Sequence, residues 1–340
     1  MKKVVTFGEI MLKLSAKGNQ RLLQAKEMNV EYAGAEANVA VSLANFGVPV
    51  AYVSRLPEND FGRAACMNLR AFGVNTDSIA WAGNRMGIYF AEKGASQRPS
   101  KVVYDRAHSA ISEATSVDFD WENIFKDAQW FHFTGITPAL GPNVAEICFQ
   151  ACQQAKKMGL TVSCDLNYRS KLWTKEEAQK TMSRLAEYID VCIANESDIA
   201  DVFGIVAKDS DVEKGQLQQA SYEIVAEQLL QKFNFQKVAI TLRESISAND
   251  NNWSAMLFDG KKAVNSRKYA VHIVDRIGSG DAFAAGLIYG LINGYDSQKA
   301  VDFAAAASCL KHSIEGDFNL VSKAEVESLM NNNFTGRIQR

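Results

Sequence analysis

The sequence predicts an α/β protein in which a mainly parallel β-sheet is covered by helices on both faces. Short apolar runs of strand length recur along the chain, and amphipathic helical patterns separate them. This alternation is typical of parallel sheets, whose strands are buried on both sides. The 340 residues include only five prolines, and no long Gly/Ser tract marks a boundary. We therefore expect a single domain over residues 1–340, although length alone would favour two.

Six apolar runs are the predicted strands of this sheet, at residues 3–8, 50–54, 129–135, 160–167, 190–195 and 237–242. The clearest helix between them begins at Gly141-Pro142, because proline fits the first turn of a helix. Its apolar face includes Cys148 and Cys152, and Gly159 ends it before the next strand. These signals define one complete β-α-β unit.

Residues 76–106 follow a different pattern, with β-rich stretches, turn residues between them and no helical period. Together with residues 10–16 and 29–34 they are predicted to form a small antiparallel sheet outside the main one. Such a sheet is well placed to cover a ligand site as a lid. Its open edges favour pairing with a second copy of the chain, so we also expect a homodimer through the lid.

Composition excludes several classes of protein. A formal net charge of −2 and 47% hydrophobic residues describe an ordinary globular chain, without the basic surplus of a nucleic-acid binder. The first residues are too polar for a signal peptide and too short for a membrane span. We expect a cytoplasmic protein with no nucleic-acid or membrane partner. The six cysteines form no C-x-x-C pair, which favours reduced core residues.

The segment VDRIGSGDAFAAGL, residues 274–287, places two glycines, a serine and an aspartate where a polar loop becomes an apolar run. A dinucleotide fingerprint is excluded, because Phe283 occupies the place of the third glycine. The spacing leaves two interpretations open: a helix amino terminus that binds an anion, or a plain capped turn. Asp281 favours the first, since a carboxylate beside a phosphate site is useful for accepting the proton of an attacking hydroxyl. That pairing indicates a kinase.

Residues 275–287, DRIGSGDAFAAGL, resemble the carboxy-terminal signature of the ribokinase-like (PfkB) sugar kinases. Residues 32–47, YAGAEANVAVSLANFG, resemble their amino-terminal signature, and DLNYRSKLW and NESD follow in the expected order. The resemblance implies a ribokinase-like, Rossmann-type three-layer sandwich with a small β-sheet lid. It also implies ATP and Mg²⁺ as cofactors. Ala33, Arg276 and Ser279 depart from the family pattern, but none of these changes removes a group that must donate, accept or carry charge.

Within the family, the chain is more similar to kinases of 2-keto-3-deoxygluconate than to ribokinases or fructokinases. The segments that carry this likeness are GEIMLKLS, GAEANVA, DLNYRSKLW and CLKHSIEGDFNLVS. The implied reaction is ATP-dependent phosphorylation of the terminal 6-hydroxyl, giving 2-keto-3-deoxy-6-phosphogluconate. Two alternatives remain open: another PfkB kinase for fructose, ribose or a related ketose, and a sugar-binding regulatory protein that has lost catalysis.

The resemblance implies a role for particular residues. Asp281 would be the catalytic base, and Gly278, Ser279 and Gly280 the anion hole. The implied substrate contacts are Gly34, Asn38, Tyr89, Tyr104, Arg106, Arg169 and Asp275. The two arginines matter most, because a guanidinium grips a carboxylate in a bidentate fork and neutral sugars lack that carboxylate.

Each of these side chains also has a structural interpretation. Asn38 could satisfy the first turn of its own helix, the tyrosines could pack the small sheet, and the arginines could form surface salt bridges. The sequence alone is compatible with both kinds of role for each of these residues.

The nucleotide side is less sharply defined by the sequence. The resemblance implies that ATP contacts Asn167, Asn195, Glu196, Thr241, Arg243, Gly278 and Gly280. Glu196 would help to organise Mg²⁺, largely through water. Asn195 could equally cap a helix. Arg243 stands where the family commonly has glycine, so its side chain could meet ATP or project into solvent.

Overall fold

The computed structural model describes residues 2–206 and 219–331 of the chain. In chain order its strands are β1 (Lys3–Phe7), β2 (Met11–Ala16), β3 (Met28–Ala33), β4 (Val50–Val53), β5 (Arg55–Leu56), β6 (Ala80–Trp81), β7 (Ile88–Glu92), β8 (Lys101–Asp105), β9 (Ala128–Thr134), β10 (Thr161–Asp165), β11 (Val191–Asn195), β12 (Lys237–Ser245), β13 (Asp250–Phe258), β14 (Ala263–Asn265) and β15 (Tyr269–His272).

The α-helices in these ranges are α1 (Ala35–Asn45), α2 (Asp60–Ala71), α3 (Trp121–Ile124), α4 (Pro142–Lys157), α5 (Lys175–Ala186), α6 (Glu196–Phe203), α7 (Gln219–Phe233), α8 (Ser279–Ile292), α9 (Ser297–Lys311) and α10 (Lys323–Met330). Short 3-10 helices lie at Ser116–Asp118 and Pro138–Leu140.

The large sheet is mainly parallel, as the alternation of strands and helices predicts. Its strands β12, β11, β10, β9, β1 and β4 lie side by side in that order, and every neighbouring pair among them is parallel. Strand β13 pairs antiparallel with β12, and β14 and β15 pair antiparallel with β13. The six predicted runs are the six parallel strands. The predicted helix beginning at Gly141-Pro142 is α4, which has Pro142 in its first turn.

The sheet has a layer of helices on each face, because successive side chains of a buried strand point to opposite sides. In β1, Val4 packs into an apolar cluster with side chains of α1, α2, α8, α9 and α10. The next residue, Val5, packs into a second cluster with side chains of α3 to α7. The expected three-layer sandwich is therefore confirmed.

A second sheet has the strand order β3-β2-β7-β8. The prediction that it is antiparallel is correct for the outer pairs and wrong for β2 and β7, which run parallel. Helices α1 and α2 lie in the chain between these two strands, and so long a crossover permits parallel pairing. Residues 80 and 81 lie outside this sheet, because β6 pairs with β5.

The inner face of the small sheet lies against the loop before α8. Met11, Ala33 and Tyr89 form a small apolar cluster, and Ile277 packs against it. This contact holds the small sheet over the segment that contains the glycines and Asp281.

Two further expectations concern the core and membranes. All six cysteines lie in the described ranges as free thiols, five of them buried and Cys309 half-buried. Among the described residues, every helix is too short or too polar to cross a membrane.

Candidate active site

A cavity of about 400 Å³ lies where the carboxyl ends of β10, β11 and β12 meet the small sheet and the start of α8. In open α/β sheets this edge is the usual place for ligands. The cavity brings together most of the residues that the sequence resemblance implied, namely Gly34, Asn38, Tyr89, Tyr104, Arg106, Asn167, Arg169, Asn195, Thr241, Arg243, Gly278, Ser279, Gly280 and Asp281.

Helix α8 begins at the predicted loop. Gly278 is its N-cap with φ 84°, a left-handed conformation that favours glycine, and a Cβ there would lie 2.0 Å from the Asp317 carbonyl oxygen. The first helical hydrogen bond runs from the Ala282 N–H to the Gly278 carbonyl. A Cβ built at Gly280 meets no atom within 4 Å, so the space before the helix is open. The start of α8 therefore presents backbone N–H groups and the positive end of the helix dipole to an open space.

Ser279 has a structural task in this loop. Its hydroxyl donates to the Arg276 carbonyl at 2.9 Å, and its own carbonyl accepts from the Ser308 hydroxyl of α9 at 2.7 Å. These bonds brace the loop before α8 internally and join the start of α8 to the last part of α9. The Ser279 hydroxyl is thus engaged within the loop that is predicted to form the anion hole.

Asp281 lies in the first turn of α8 and is buried. Burial raises the pKa of its carboxyl to about 7, although a hydrogen bond from Asn38 opposes the rise. Asn38 Nδ2 donates to Asp281 Oδ2 at 2.7 Å, so the Asn38 amide does not serve its own first turn. A carboxyl with a pKa near neutrality is suited to accept a proton at physiological pH.

Arg106 and Arg169 both line the cavity, but their surroundings differ. Arg106 Nη2 is ion-paired with Glu9, a buried residue whose other oxygen accepts from the Ser109 hydroxyl at 2.6 Å. Arg169 Nη1 donates to the neighbouring Tyr168 carbonyl at 2.9 Å. Among the described residues no carboxylate lies within ion-pair distance of Arg169. Both arginines were predicted to bind a substrate carboxylate. Of the two, Arg169 therefore has the less compensated charge.

The two predicted tyrosines have different environments. Tyr89 is buried, and its hydroxyl donates to Asp317 Oδ2 at 2.5 Å. Tyr104 is 37% exposed and its ring lies 5.3 Å from the Arg106 guanidinium carbon. The tyrosine rings are 5.9 Å apart. Tyr89 thus links the small sheet to the loop after α9, whereas Tyr104 forms part of the cavity wall.

Asp275 is the implied substrate residue that does not line this cavity. One oxygen of its carboxylate accepts from the Ile277 N–H and the other from the Gly316 N–H, both at 3.2 Å. The second oxygen also lies 3.8 Å from Lys13 Nζ. Because these scaffold contacts occupy its carboxylate, Asp275 joins the loop before α8 to the loop after α9.

The nucleotide side of the cavity contains Asn195, Thr241 and Arg243. Asn195 caps α6, because its Oδ1 accepts from the backbone N–H groups of Ser197 and Asp198, both at 2.9 Å. Thr241 pairs with Asn195 in the adjacent strand and is buried. The capping interpretation of Asn195 is therefore correct, and the residue also lines the cavity.

Arg276 is a further basic residue on this side, beside Arg243. Its Nη2 donates to the Ala248 carbonyl at 2.8 Å. Burial lowers the pKa of Arg276, and the Arg243 guanidinium lowers it further. Two guanidinium groups at one end of the cavity favour a highly charged anion there.

Asp165 and Asp198 are the residues that best fit a divalent cation. Both line the cavity, and Asn195 Nδ2 donates to Asp198 Oδ2 at 2.8 Å. Burial raises the pKa of Asp165 well above its ordinary value, and the carboxylates of Asp198 and Asp281 raise it further. A cation between such carboxylates would relieve their repulsion. The side chain of Glu196, the residue predicted for magnesium, lies outside the described part of the structure.

Magnesium sites with nucleotide substrates need only one or two protein carboxylates, because phosphates and waters complete the coordination. This suits the described residues, in which no group of three or more His, Cys, Asp or Glu side chains could hold a metal. Asp165 directly ends strand β10, and a carboxylate in that position was a sequence signal that could have identified it.

A wider depression of about 1330 Å³ adjoins the cavity and shares part of its wall with it. The shared residues include Tyr104, Arg106, Arg169, Ser197 and Asp198. Both arginines therefore stand between the interior of the cavity and the outer surface.

Residues 1–319 match the family described as pfkB family carbohydrate kinase. The chain belongs to the pfkB family of carbohydrate kinases. It is a phosphotransferase that acts on a sugar hydroxyl, and kinases of this family use ATP. The family membership that the two signature segments indicated is thus confirmed, and the match covers nearly the whole chain.

Several relatives of this pfkB kinase have specific names. A crystal structure of 2-dehydro-3-deoxygluconokinase from Thermotoga maritima is 56% identical, with a TM-score of 0.94, and the match covers 97% of this chain and 100% of that one. A 2-dehydro-3-deoxygalactonokinase from Haloferax volcanii is 33% identical over 96% of each chain. A putative ribokinase II from E. coli, solved with ATP and Mg²⁺, is 21% identical with a TM-score of 0.81 over 98% of this chain and 100% of that one. This last likeness concerns the fold.

Proposed function

We propose that this pfkB kinase transfers the terminal phosphoryl group of ATP to the 6-hydroxyl of 2-keto-3-deoxygluconate, also named 2-dehydro-3-deoxygluconate. One observation carries the proposal. The same cavity contains a buried carboxylate at the start of a helix, Asp281, and an arginine without a carboxylate partner in the described ranges, Arg169. The first suits phosphoryl transfer to a hydroxyl, and the second suits a substrate that carries a carboxylate.

In the proposed reaction Asp281 accepts the proton of the 6-hydroxyl as its oxygen attacks the terminal phosphorus of ATP. The new O–P bond forms while the bond to the ADP oxygen breaks, and ADP leaves with that electron pair. The backbone N–H groups at the start of α8 stabilise the negative charge on the transferred group. Mg²⁺, when bound, would neutralise phosphate charge, and Asp165 and Asp198 are the residues that would hold it. Arg243 and Arg276 lie where they would face the polyphosphate.

Selection of the acid sugar is assigned mainly to Arg169. The ion pair with Glu9 already compensates Arg106, so a substrate carboxylate gains less there than at Arg169. A charge-assisted hydrogen bond to a guanidinium that has no carboxylate within ion-pair distance in the described ranges stabilises the acid, whereas a neutral ketose makes no such bond.

The names of the relatives support a sugar acid and leave its configuration to be tested. The Thermotoga maritima protein is named for the gluconate compound, and the Haloferax volcanii protein for the galactonate epimer. The galactonate epimer is therefore the second candidate substrate. It carries the same carboxylate, so the arginines alone would not distinguish the two.

The test is kcat/KM in a coupled ADP-release assay with 2-keto-3-deoxygluconate, its galactonate epimer, fructose and ribose. Arg169→Ala is expected to lower kcat/KM for the acid sugars by about ten- to a hundredfold, with a small effect on fructose. Arg106→Ala should cost less, and Arg169→Lys should recover part of the loss because it keeps the charge without the planar fork.

Arg184→Ala is the matched control, since this arginine lies on the exposed surface of α5. Equal losses on acid and neutral sugars in Arg169→Ala would contradict the carboxylate role and favour a neutral-sugar kinase. An absence of turnover with every sugar would favour the regulatory alternative.

The homodimer through the small sheet stays a prediction. Light scattering, which gives the mass of the protein in solution, would test it.

A further inference from the structure

Asn38 connects two helices that are far apart in sequence. It lies in α1, where its backbone N–H donates to the Gly34 carbonyl at 2.7 Å. Its buried side chain lines the cavity and reaches Asp281 of α8, with 2.7 Å between Asn38 Nδ2 and Asp281 Oδ2. An ionised carboxylate only accepts hydrogen bonds, so the amide nitrogen must face it.

The side chain of Asn38 does not complete the hydrogen bonding of its own helix. Its Oδ1 is buried and has no hydrogen-bond partner among the described residues. Glu36, two residues earlier, shows the contrast. One oxygen of Glu36 accepts from the Thr134 N–H, the Thr134 hydroxyl and the Thr137 hydroxyl at 2.9, 2.8 and 2.6 Å. Glu36 thus joins α1 to the sheet, whereas the Asn38 amide bonds Asp281.

Charged groups from several elements surround the Asp281 carboxyl. Glu36 on α1 and Asp317 in the loop after α9 raise its pKa, while Arg169 in the loop after β10 lowers it. Asp165 at the end of β10 and Lys311 on α9 also interact with it electrostatically. Burial is the largest influence and raises the pKa, and the Asn38 hydrogen bond is the strongest opposing one.

We propose that Asn38 is a positioning residue for phosphoryl transfer, whose amide fixes one oxygen of Asp281 so that the other faces the sugar hydroxyl. This inference rests on the proposed role of Asp281 as base. The amide also favours the ionised form of the carboxylate, which is the form that accepts a proton. Loss of Asn38 therefore both releases the base and keeps it protonated to higher pH.

The experiment is the pH dependence of kcat/KM for 2-keto-3-deoxygluconate at saturating MgATP, between about pH 5 and pH 9. The acid limb is the fall in kcat/KM at low pH, where Asp281 becomes protonated. In Asn38→Leu this limb is expected to move upward by about one pH unit, since losing a hydrogen bond to a charged group shifts a pKa by about that amount. At about pH 7 this gives roughly a fivefold loss beyond any loss from orientation, and that part recovers at high pH. Asn38→Asp should move the limb further, because two adjacent carboxyl groups share one proton.

Ser42→Ala is the matched control. Ser42 is a buried residue of the same helix, one turn further on, and does not line the cavity. It should leave the acid limb unmoved. Asn38→Asp is close in size to the native residue, so it keeps the test informative if Asn38→Leu fails to fold.

An acid limb that is unchanged in Asn38→Leu or Asn38→Asp, with lower kcat alone, would overturn the inference and leave Asn38 a packing residue. Asp281→Asn, measured in parallel, separates this outcome from failure of the proposed function. If Asp281→Asn retains turnover, the assignment of the base is wrong. If it is inactive while the limb in the Asn38 variants does not move, only the role of Asn38 is wrong.

Discussion

Two buried carboxylates in the same cavity, Asp281 and Asp317, have opposite surroundings. Asp317 accepts from the Lys13 ammonium at 2.6 Å and from the Tyr89 hydroxyl at 2.5 Å. Asp281 accepts from the uncharged Asn38 amide, and no cationic side chain in the described ranges lies within ion-pair distance of it. A buried cation therefore compensates the charge of Asp317, whereas Asp281 has only a neutral hydrogen-bond partner.

The difference distinguishes Asp317, which is held by structural contacts, from Asp281, which is the proposed base. Lys13 comes from the small sheet, and burial alone would lower its pKa, but the carboxylates of Asp317, Asp275 and Glu31 outweigh burial and raise it. This cluster joins the small sheet to the loops around α8. Lys13 and Tyr89 occupy the Asp317 carboxylate, whereas Asp281, with a raised pKa and no ion-pair partner in the described ranges, is suited to accept a proton.

The largest expected effect is on turnover in Asp281→Asn. The amide keeps the shape of the side chain but does not accept the hydroxyl proton, so kcat should fall by about 10² to 10⁴ while sugar KM changes little. Steady-state kinetics with a circular dichroism check of folding measures this. Retention of more than about a tenth of wild-type kcat would place Asp281 with Asp317 as a structural carboxylate.

The next effect is on stability in Lys13→Met. Removing the ammonium leaves Asp317 buried beside Asp275 without its cation, and breaking a buried pair typically costs about 3–5 kcal/mol. The measurement is the free energy of unfolding from urea titration.

Lys93→Met is the control for this variant, because Lys93 pairs with Glu315 at 2.7 Å and thus links the same two parts of the chain at the surface. Its loss should be at most about 1 kcal/mol. Similar small losses in both variants would show that burial of the Lys13 cluster adds nothing to its strength.

The third expected effect is on the pH dependence of stability, to which Asp281 contributes. The folded pKa of about 7 lies above the ordinary value of an unfolded aspartate, so the protonated carboxyl is tolerated at low pH. The stability that this gives is complete below the unfolded pKa and is lost as the pH rises through about 7. Asp281→Asn should therefore become increasingly stable relative to wild type as the pH rises, by up to about 4 kcal/mol.

Urea titrations of wild type and Asp281→Asn at a series of pH values give this difference directly, because the other titrating groups are common to both proteins. A difference that stays constant from acid to neutral pH would mean that the Asp281 carboxyl has the same pKa in the folded and the unfolded protein, which would contradict the raised pKa.

Local patterns were sufficient for the six parallel strands of the main sheet, but not for its antiparallel strands β13, β14 and β15. Each of its six parallel strands is an apolar run, because such strands are buried on both faces, and α4 carries its own start and stop signals at Pro142 and Gly159. The small sheet was less predictable. Its strands were found, but the parallel pairing of β2 with β7 depends on where helices α1 and α2 place the returning chain.

The candidate site divides in the same way. The signature segments predicted roles for Asp281, Gly278 and Gly280, and the structure brings all three to one cavity. Such residues could be found from sequence because they are contiguous. Asp275 shows the limit. It lies in a signature segment, yet it does not line the cavity, and its carboxylate accepts from the Ile277 and Gly316 N–H groups.

The sequence by itself predicted the α/β fold, because an apolar period is a local property, and its signature segments indicated a kinase and predicted the loop before α8 as the anion site. Only the tertiary structure decided which buried charges are compensated. Lys13 meets Asp317, Glu9 meets Arg106, and Asn38 meets Asp281, in each case across a large separation in sequence. Charge compensation depends on distance and burial in space, so carboxylates that look alike in the sequence acquire different partners and different environments.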